Sequence, residues 1–230
     1  MTRYHALVPA AGAGTRMGAA RPKQYLELAG RPLLWYALHT LCRHPRIARV
    51  YVVLAPDDAW WGRYDWDGGD KLMVLSCGGA TRADSVRAGL AAMAGEVAGQ
   101  DWVLVHDAAR PCLTAALIDR LIEALREDPV GGLLAVPLAD TVKRAGADAR
   151  IAATVDRSGL WAAQTPQMFR YGLLTAALAQ AGGAVTDEAS AVEALGHAPR
   201  LVEGARSNLK VTFPEDLELA GCLLGVRGEV

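Results

Sequence analysis

The chain has 230 residues, 24 Lys plus Arg against 25 Asp plus Glu for a formal net charge of −1, and 52% apolar residues. That length and apolar fraction suit one large α/β core, read as a single unit over residues 1–230, and the balanced charge excludes the global basic field that holds a nucleic-acid backbone. No stretch approaches the roughly 20 apolar residues of a membrane span, and the apolar run near the N-terminus is too short for a signal peptide, so a cytoplasmic protein is expected.

The first predicted strand is the apolar run at residues 6–8. The loop after it, PAAGAGTRMGAARPK over residues 9–23, interleaves small residues with Arg16, Arg21 and Lys23, and no Asp or Glu occurs before Glu27. A backbone freed by small residues and left with unneutralised positive charge suits a bound phosphate. Neither standard phosphate motif is present. No glycine pair has the Walker A spacing, and Met17 stands where the G-x-G-x-x-G fingerprint needs its last glycine. Pro22 also disfavours an immediate helix. Taken alone, the loop is either a phosphate cradle or a solvated surface excursion.

A helix is expected at 33–42, then strands at 50–54 and 72–75, separated by the aromatic, turn-rich stretch WWGRYDWDGGD at 60–70, to which no role is assigned. In GGATRADSV, ahead of a helix at 83–93, Arg82 and Ser85 follow a glycine pair, and Ser85 either bonds a ligand or caps the first helical turn. The strand at 102–105 runs into VHDAARP. Asp107 there either holds a divalent metal, whose remaining positions phosphate oxygens and water fill, or caps the next turn. His106 reads as packed at the strand end. A helix at 114–126, with Thr114 as its N-cap, and a strand at 133–136 follow. Short strands that are apolar on both faces and separated by helices predict a mostly parallel sheet covered by helices. Ligands of such sheets bind beyond the carboxyl ends of the strands, where the loops 9–23, 77–82 and 107–111 all fall.

The pattern changes after Pro137. Strand-like segments at 141–145 and 150–157, around a turn of Gly146, Ala147 and Asp148, predict a projecting β-hairpin that is too polar for a central strand. Thr165 and Gln167 flank a rigid proline turn, and Thr186 is a capping candidate ahead of a helix at 187–195, itself preceded by one at 171–181. A run at 200–203, a short strand at 209–212 carrying Lys210, and a helix after Pro214 close the chain. Lys210 reads either as a site cation or as a surface lysine lying along apolar neighbours. Cys42, Cys77, Cys112 and Cys222 have no paired spacing and read as reduced thiols.

PAAGAGTRMG with Lys23-Gln24-Tyr25, GGATRADSV, VHDAARPC, DTVKR, TVDR, TPQ, TDEAS and NLKVT together resemble, in order and spacing, the 2-C-methyl-D-erythritol 4-phosphate cytidylyltransferases. The resemblance covers nearly the whole chain. It implies a Rossmann-like nucleotidyltransferase fold and transfer of CMP from CTP to methylerythritol phosphate with release of pyrophosphate, in isoprenoid precursor synthesis, with Mg²⁺ as the cofactor. It puts Arg16 and Lys23 on the CTP phosphates, Lys210 near the α-phosphate, and Asp107 on the metal and ribose. Ala10, Ala11, Gly12, Gly79 and Ser85 would hold the nucleotide, and Arg110, Thr141, Arg157, Thr165 and Thr186 the acceptor. It further implies a homodimer in which residues 138–160 form an arm that completes the partner's site. Ser207 departs from the family, which usually has an acidic residue just before Asn-Ile/Leu-Lys, so a second metal carboxylate is absent from that position.

Three other readings compete. A cytidylyltransferase for a pentitol phosphate such as ribitol 5-phosphate shares loop, fold and arm; those relatives tend to show Val and Phe where Ala109 and Cys112 stand and to lack Glu188, which reads as a substrate-side difference. A non-catalytic nucleotide sensor would be expected to have lost Lys23, Asp107 or Lys210, all present here. An NAD-binding redox enzyme would use Asp57 for the ribose.

Overall fold

A computed structural model describes residues 2–12, 21–181 and 185–228. The first half holds β1 (Tyr4–Pro9), the short pair β2 (Glu27–Leu28) and β3 (Arg31–Pro32), α1 (Leu33–Arg43), β4 (Ile47–Val53), β5 (Leu72–Leu75), α2 (Arg82–Ala92) and β6 (Trp102–Val105). The second holds α3 (Ala115–Leu125), β7 (Gly131–Pro137), β8 (Val142–Ala145), β9 (Ile151–Val155), β10 (Trp161–Arg170), α4 (Tyr171–Gln180), α5 (Glu188–Ala194), β11 (Arg200–Glu203) and α6 (Pro214–Val226). Seven strands form one sheet in the order β11-β7-β10-β6-β1-β4-β5. All are parallel except β10, which runs antiparallel between β6 and β7.

Alternation along β1 shows why helices cover both faces. Ala6 and Val8 point into one cluster with Leu34, Leu38 and Leu41 of α1 and Ile118 and Leu121 of α3, whereas Leu7 points into a second with Val86 and Leu90 of α2 and Leu174 of α4. Successive strand residues face opposite sides, so a strand buried on both faces must be apolar at every position. In α3 the spacing of Leu117, Ile118, Leu121, Ile122 and Leu125 keeps one stripe on the core, and the Thr114 hydroxyl accepts from the Leu117 N–H at 3.3 Å as the expected cap. A third cluster packs Leu224 and Ala220 of α6 against Ala109, Cys112 and Val211, pinning the chain on both sides of the cleft described below.

Three expectations need correction. Residues 165–167 are not a turn but part of β10, which pairs with β7 at 161–163 and again at 167–169, with a register break between and a cis Thr165–Pro166 peptide. Their polar side chains are hydrogen-bonded internally, so a central strand accommodates them. Residues 209–212 form no strand; the segment is held by the Val211 N–H donating to the Ala109 carbonyl at 2.8 Å. β5 is the sheet edge rather than a strand buried on both faces, and Val74 is 42% exposed.

The predicted hairpin is present as β8 and β9, an antiparallel pair forming its own small sheet, closed by the Gly146 N–H donating to the Arg150 carbonyl at 2.8 Å. Most of its residues are exposed, and Ile151 is 66% exposed.

His5 and His44 are both buried. Burial lowers both imidazoles below the ordinary histidine value, helped by Arg3 and Arg49 at His5 and by Arg46 and Lys71 at His44, against the opposing pull of Asp101 and Asp119. The unfolded chain takes up these protons below about pH 6.5 while the folded chain resists. Stability is therefore expected to hold above that pH and to fall as pH drops below it. Urea midpoints at pH 7.5 and pH 5 check this, and replacing both histidines by Gln is expected to shrink the difference.

Candidate functional site

The cleft lies where the carboxyl ends of β1 and β6 meet the N-terminus of α2. The chain leaves β1 through Ala10, whose N–H donates to the Val53 carbonyl at 2.8 Å and whose carbonyl accepts from Gln24 Nε2 at 2.6 Å. Gly78 closes the opposite wall: a Cβ there would stand 2.2 Å from Ala11 Cβ and 2.8 Å from the Leu54 carbonyl oxygen, so only glycine permits that approach. The N-cap of α2 is Thr81, in a capping box with Asp84, rather than Ser85. Ser85 is buried, its hydroxyl donating to the Thr81 carbonyl at 3.0 Å and accepting from the Gly79 N–H at 3.2 Å.

Two adjoining cavities make up the cleft. The first, of about 240 Å³, is lined by Ala10, Ala11, Gly12, Lys23, Gly79, Ser85, Asp107 and Lys210, together with Arg82 and Ala109. The second, of about 120 Å³, shares Arg82, Asp107 and Lys210 with it and adds Arg110, Thr165, Thr186 and Asp187. The cleft thus brings together eleven of the fourteen site residues that the resemblance implies. Thr141 and Arg157, exposed at the hairpin, line neither cavity. Arg16 lies outside the described residues.

Asp107 is the electrostatic centre. Its Oδ1 accepts from Arg82 Nε at 2.8 Å, its Oδ2 lies 2.8 Å from Lys210 Nζ, and Arg110 Nε stands 3.9 Å away. Burial alone would raise its pKa, but the Arg82 and Lys210 charges outweigh it and hold the carboxyl well below the usual carboxylate range. Behind Arg82 sits Glu188, the first residue of α5 and 1% exposed, accepting from both terminal nitrogens of the guanidinium at 2.7 and 3.0 Å. Lys23 reaches the same mouth, its Nζ donating to the Val211 carbonyl at 2.8 Å, next to Lys210. Positive groups gathered on a partly dry wall are suited to phosphate oxygens.

A buried relay fixes the strand end. The Thr165 hydroxyl accepts the Asp107 N–H at 3.0 Å, which leaves its own proton for His106 Nδ1 at 3.1 Å, and Nε2–H then donates to the Arg110 carbonyl at 3.1 Å. Burial pushes the His106 imidazole down to about 4, so it is neutral and structural, as the sequence suggested. Asn208 Nδ2 donates to the Thr165 carbonyl at 2.9 Å, and Arg110 Nη1 donates to the Asn208 carbonyl at 2.7 Å.

Among the described residues no three His, Cys, Asp or Glu side chains cluster as metal ligands. Ser207 offers no carboxylate, and its hydroxyl accepts from Arg227 Nη2 at 3.1 Å. Asp107, the carboxylate that both cavities share, is the hard oxygen donor that would suit a Mg²⁺ ion taking its other ligands from substrate and water.

Sequence reasoning missed the Arg82–Glu188 pair and Asn208. Glu188 stands 106 residues from Arg82 and no local rule links them. A cation three residues after the glycine pair and an acid directly after the Asp187 cap were the available signals. The substrate-side reading of Glu188 and Cys112 also needs correction, because both are buried and line neither cavity. Glu188→Ala takes two charge-assisted hydrogen bonds from Arg82 but leaves that guanidinium paired with Asp107, so it is expected to cost about 1.5–3 kcal/mol of stability. Urea denaturation checks this, and an unchanged midpoint would show the pair to be dispensable.

The family model for 2-C-methyl-D-erythritol 4-phosphate cytidylyltransferase matches residues 4–226. The chain is 60% identical over 228 residues to the 2-C-methyl-D-erythritol 4-phosphate cytidylyltransferase of Dechloromonas aromatica, covering 99% of this chain and 100% of that one. It superposes on a crystal structure of a 4-diphosphocytidyl-2C-methyl-D-erythritol synthase with a TM-score of 0.87 at 43% identity, over 97% of this chain and 99% of that one. The Francisella tularensis 2-C-methyl-D-erythritol 4-phosphate cytidylyltransferase is similar at a TM-score of 0.83 and 35% identity, over 97% and 100% of the two chains.

Proposed function

The chain belongs to the 2-C-methyl-D-erythritol 4-phosphate cytidylyltransferase family, and from this we propose that its cleft transfers CMP from CTP to 2-C-methyl-D-erythritol 4-phosphate in the non-mevalonate route to isoprenoid precursors. The observation that carries this reading is the convergence of Lys23, Arg82 and Lys210 around the ionised Asp107 beyond the carboxyl ends of β1 and β6.

A phosphate-monoester oxygen of the acceptor attacks the α-phosphorus of CTP, a P–O bond to the acceptor forms, and the bond to pyrophosphate breaks. Both reactants are anions, and charge builds on the non-bridging oxygens and the departing pyrophosphate. Fixed cations stabilise that charge, so no protein nucleophile is required. Lys23 and Arg16 hold the triphosphate and Lys210 the α-phosphate. The backbone at Ala10, Ala11, Gly12 and Gly79, with Ser85, reads the base, whose N4 amino group, N3 and O2 call for one acceptor and two donors. Asp107 meets the ribose and would hold Mg²⁺, which when bound supplies Lewis-acid neutralisation of the phosphate oxygens. Arg110, Thr165 and Thr186 bind the acceptor from the smaller cavity.

We read the chain as one nucleotidyltransferase unit whose arm, residues 138–160, crosses to a second copy and brings Thr141 and Arg157 to the partner's cleft. The exposed hairpin, which lines neither cavity of the cleft, supports this. Both reactants are small water-soluble anions, in keeping with a cytoplasmic enzyme. Pyrophosphate release that requires both CTP and methylerythritol phosphate tests the activity. The shared site has its own test: Arg157→Ala and Lys23→Ala chains, each strongly impaired alone, are expected to regain activity when mixed under subunit exchange, because one composite site becomes wild type. No recovery in proven heterodimers would show that the arm does not cross.

A further inference from the structure

We infer that residues 58–66, which overlap the aromatic stretch at 60–70 left without a role by the sequence, form a platform that positions Lys23 at the cleft mouth, with Tyr25 and Tyr64 as positioning residues. The inference rests on the phosphate-binding role proposed for Lys23. Lys23, Gln24 and Tyr25 make a single 3-10 turn behind Pro22, with two backbone bonds, from Tyr25 N–H to the Pro22 carbonyl at 2.9 Å and from Leu26 N–H to the Lys23 carbonyl at 3.0 Å. So short a turn has little hold on its own position.

Side chains after Lys23 supply that hold. Gln24 ties the turn to the end of β1 through the Ala10 carbonyl. Tyr25 is fully buried. Its ring stacks on Tyr64 with centroids 5.8 Å apart and planes 5° from parallel, lies near Trp60 at 6.3 Å and 24°, and meets Trp66 edge-on at 6.3 Å. Its hydroxyl donates to Asp58 Oδ2 at 2.8 Å, while Asp58 Oδ1 accepts from the Trp60 and Trp61 N–H groups at 2.9 and 2.8 Å. One carboxylate therefore shapes the platform loop and grips the ring it covers. Trp61 stacks on Trp66 at 4.1 Å and the Arg63 guanidinium lies 4.4 Å over Trp60, so the platform is braced within itself. Two residues before the clamped ring, Lys23 Nζ reaches the Val211 carbonyl beside Lys210.

The test compares Tyr64→Ala, Tyr64→Phe and Tyr25→Phe. Acylation of the Lys23 amine is mapped by mass spectrometry against Lys143 of the exposed hairpin as internal standard, and kcat and KM are measured for CTP and for the acceptor. Tyr64→Ala is expected to change Lys23 labelling about tenfold relative to Lys143 and to lower kcat/KM for CTP about 10- to 100-fold, the scale of a misplacement near 1 Å, with acceptor KM unchanged. Tyr64→Phe, which keeps the stack, restores both. Tyr25→Phe keeps the stack but loses the Asp58 bond, and gives a smaller change in the same direction that stands in should Tyr64→Ala fail to fold. A lower melting temperature with wild-type Lys23 labelling and wild-type kcat/KM for CTP would overturn the inference. Altered Lys23 labelling in Tyr64→Ala alongside full activity of Lys23→Ala would support the platform while overturning the role proposed for Lys23.

Discussion

Lys23→Ala is expected to lower turnover about 10²- to 10³-fold while leaving the fold intact. Removing one positioned donor to a developing anion costs about 2.7–4 kcal/mol of transition-state stabilisation where such losses have been measured in oxyanion holes. Lys23 is half-buried at the cleft mouth and belongs to none of the three apolar clusters, so its loss should scarcely change the urea midpoint. Arg16→Ala is expected to behave alike on the strength of the resemblance. Lys210→Ala differs in a way that can be measured: it also strips Asp107 of a 2.8 Å partner and so combines lost turnover with an altered Mg²⁺ dependence. Near-normal turnover of purified Lys23→Ala would remove the phosphate-binding role from the loop.

The second large effect concerns the acceptor. The smaller cavity offers Arg110, Thr165 and Thr186, and the arm would add Thr141 and Arg157, a set of cations and hydroxyls that suits a phosphorylated polyol. A site built to hydrogen-bond a particular hydroxyl rejects a molecule lacking it by about 10⁴- to 10⁵-fold, whereas one methyl group is discriminated only about 10- to 200-fold. Sugar 1-phosphates are therefore expected to fall about 10⁴-fold or more below methylerythritol phosphate in kcat/KM, and other four- and five-carbon polyol phosphates only moderately below it. Competition assays at fixed CTP check both tiers, and a sugar 1-phosphate within tenfold of methylerythritol phosphate would contradict the proposed contacts.

Elements with strong local signals were legible before the structure: the apolar runs that became β1, β4, β6 and β7, the Thr114 cap, and the polar hairpin. The site was legible where one loop follows one strand, as at Asp107 and Gly79. What stayed hidden depends on distance along the chain. The middle of β10 looked like a turn because Pro166 cannot donate to a sheet ladder and Gln164, Thr165 and Gln167 are polar. Their polar atoms are paired only once Asp107, Ala205 and Asp187 have been brought beside them. Glu188 looked like a substrate-side residue because its partner Arg82 lies on another helix. The aromatic stretch at 60–70 had no periodicity to read, since its rings pack around Tyr25, a residue from a different loop.

The most direct measurement is the specificity constant for methylerythritol 4-phosphate against that for ribitol 5-phosphate, taken from pyrophosphate release at equal CTP and Mg²⁺. A higher kcat/KM for methylerythritol 4-phosphate is the expected result, and a higher kcat/KM for ribitol 5-phosphate would contradict the proposed acceptor.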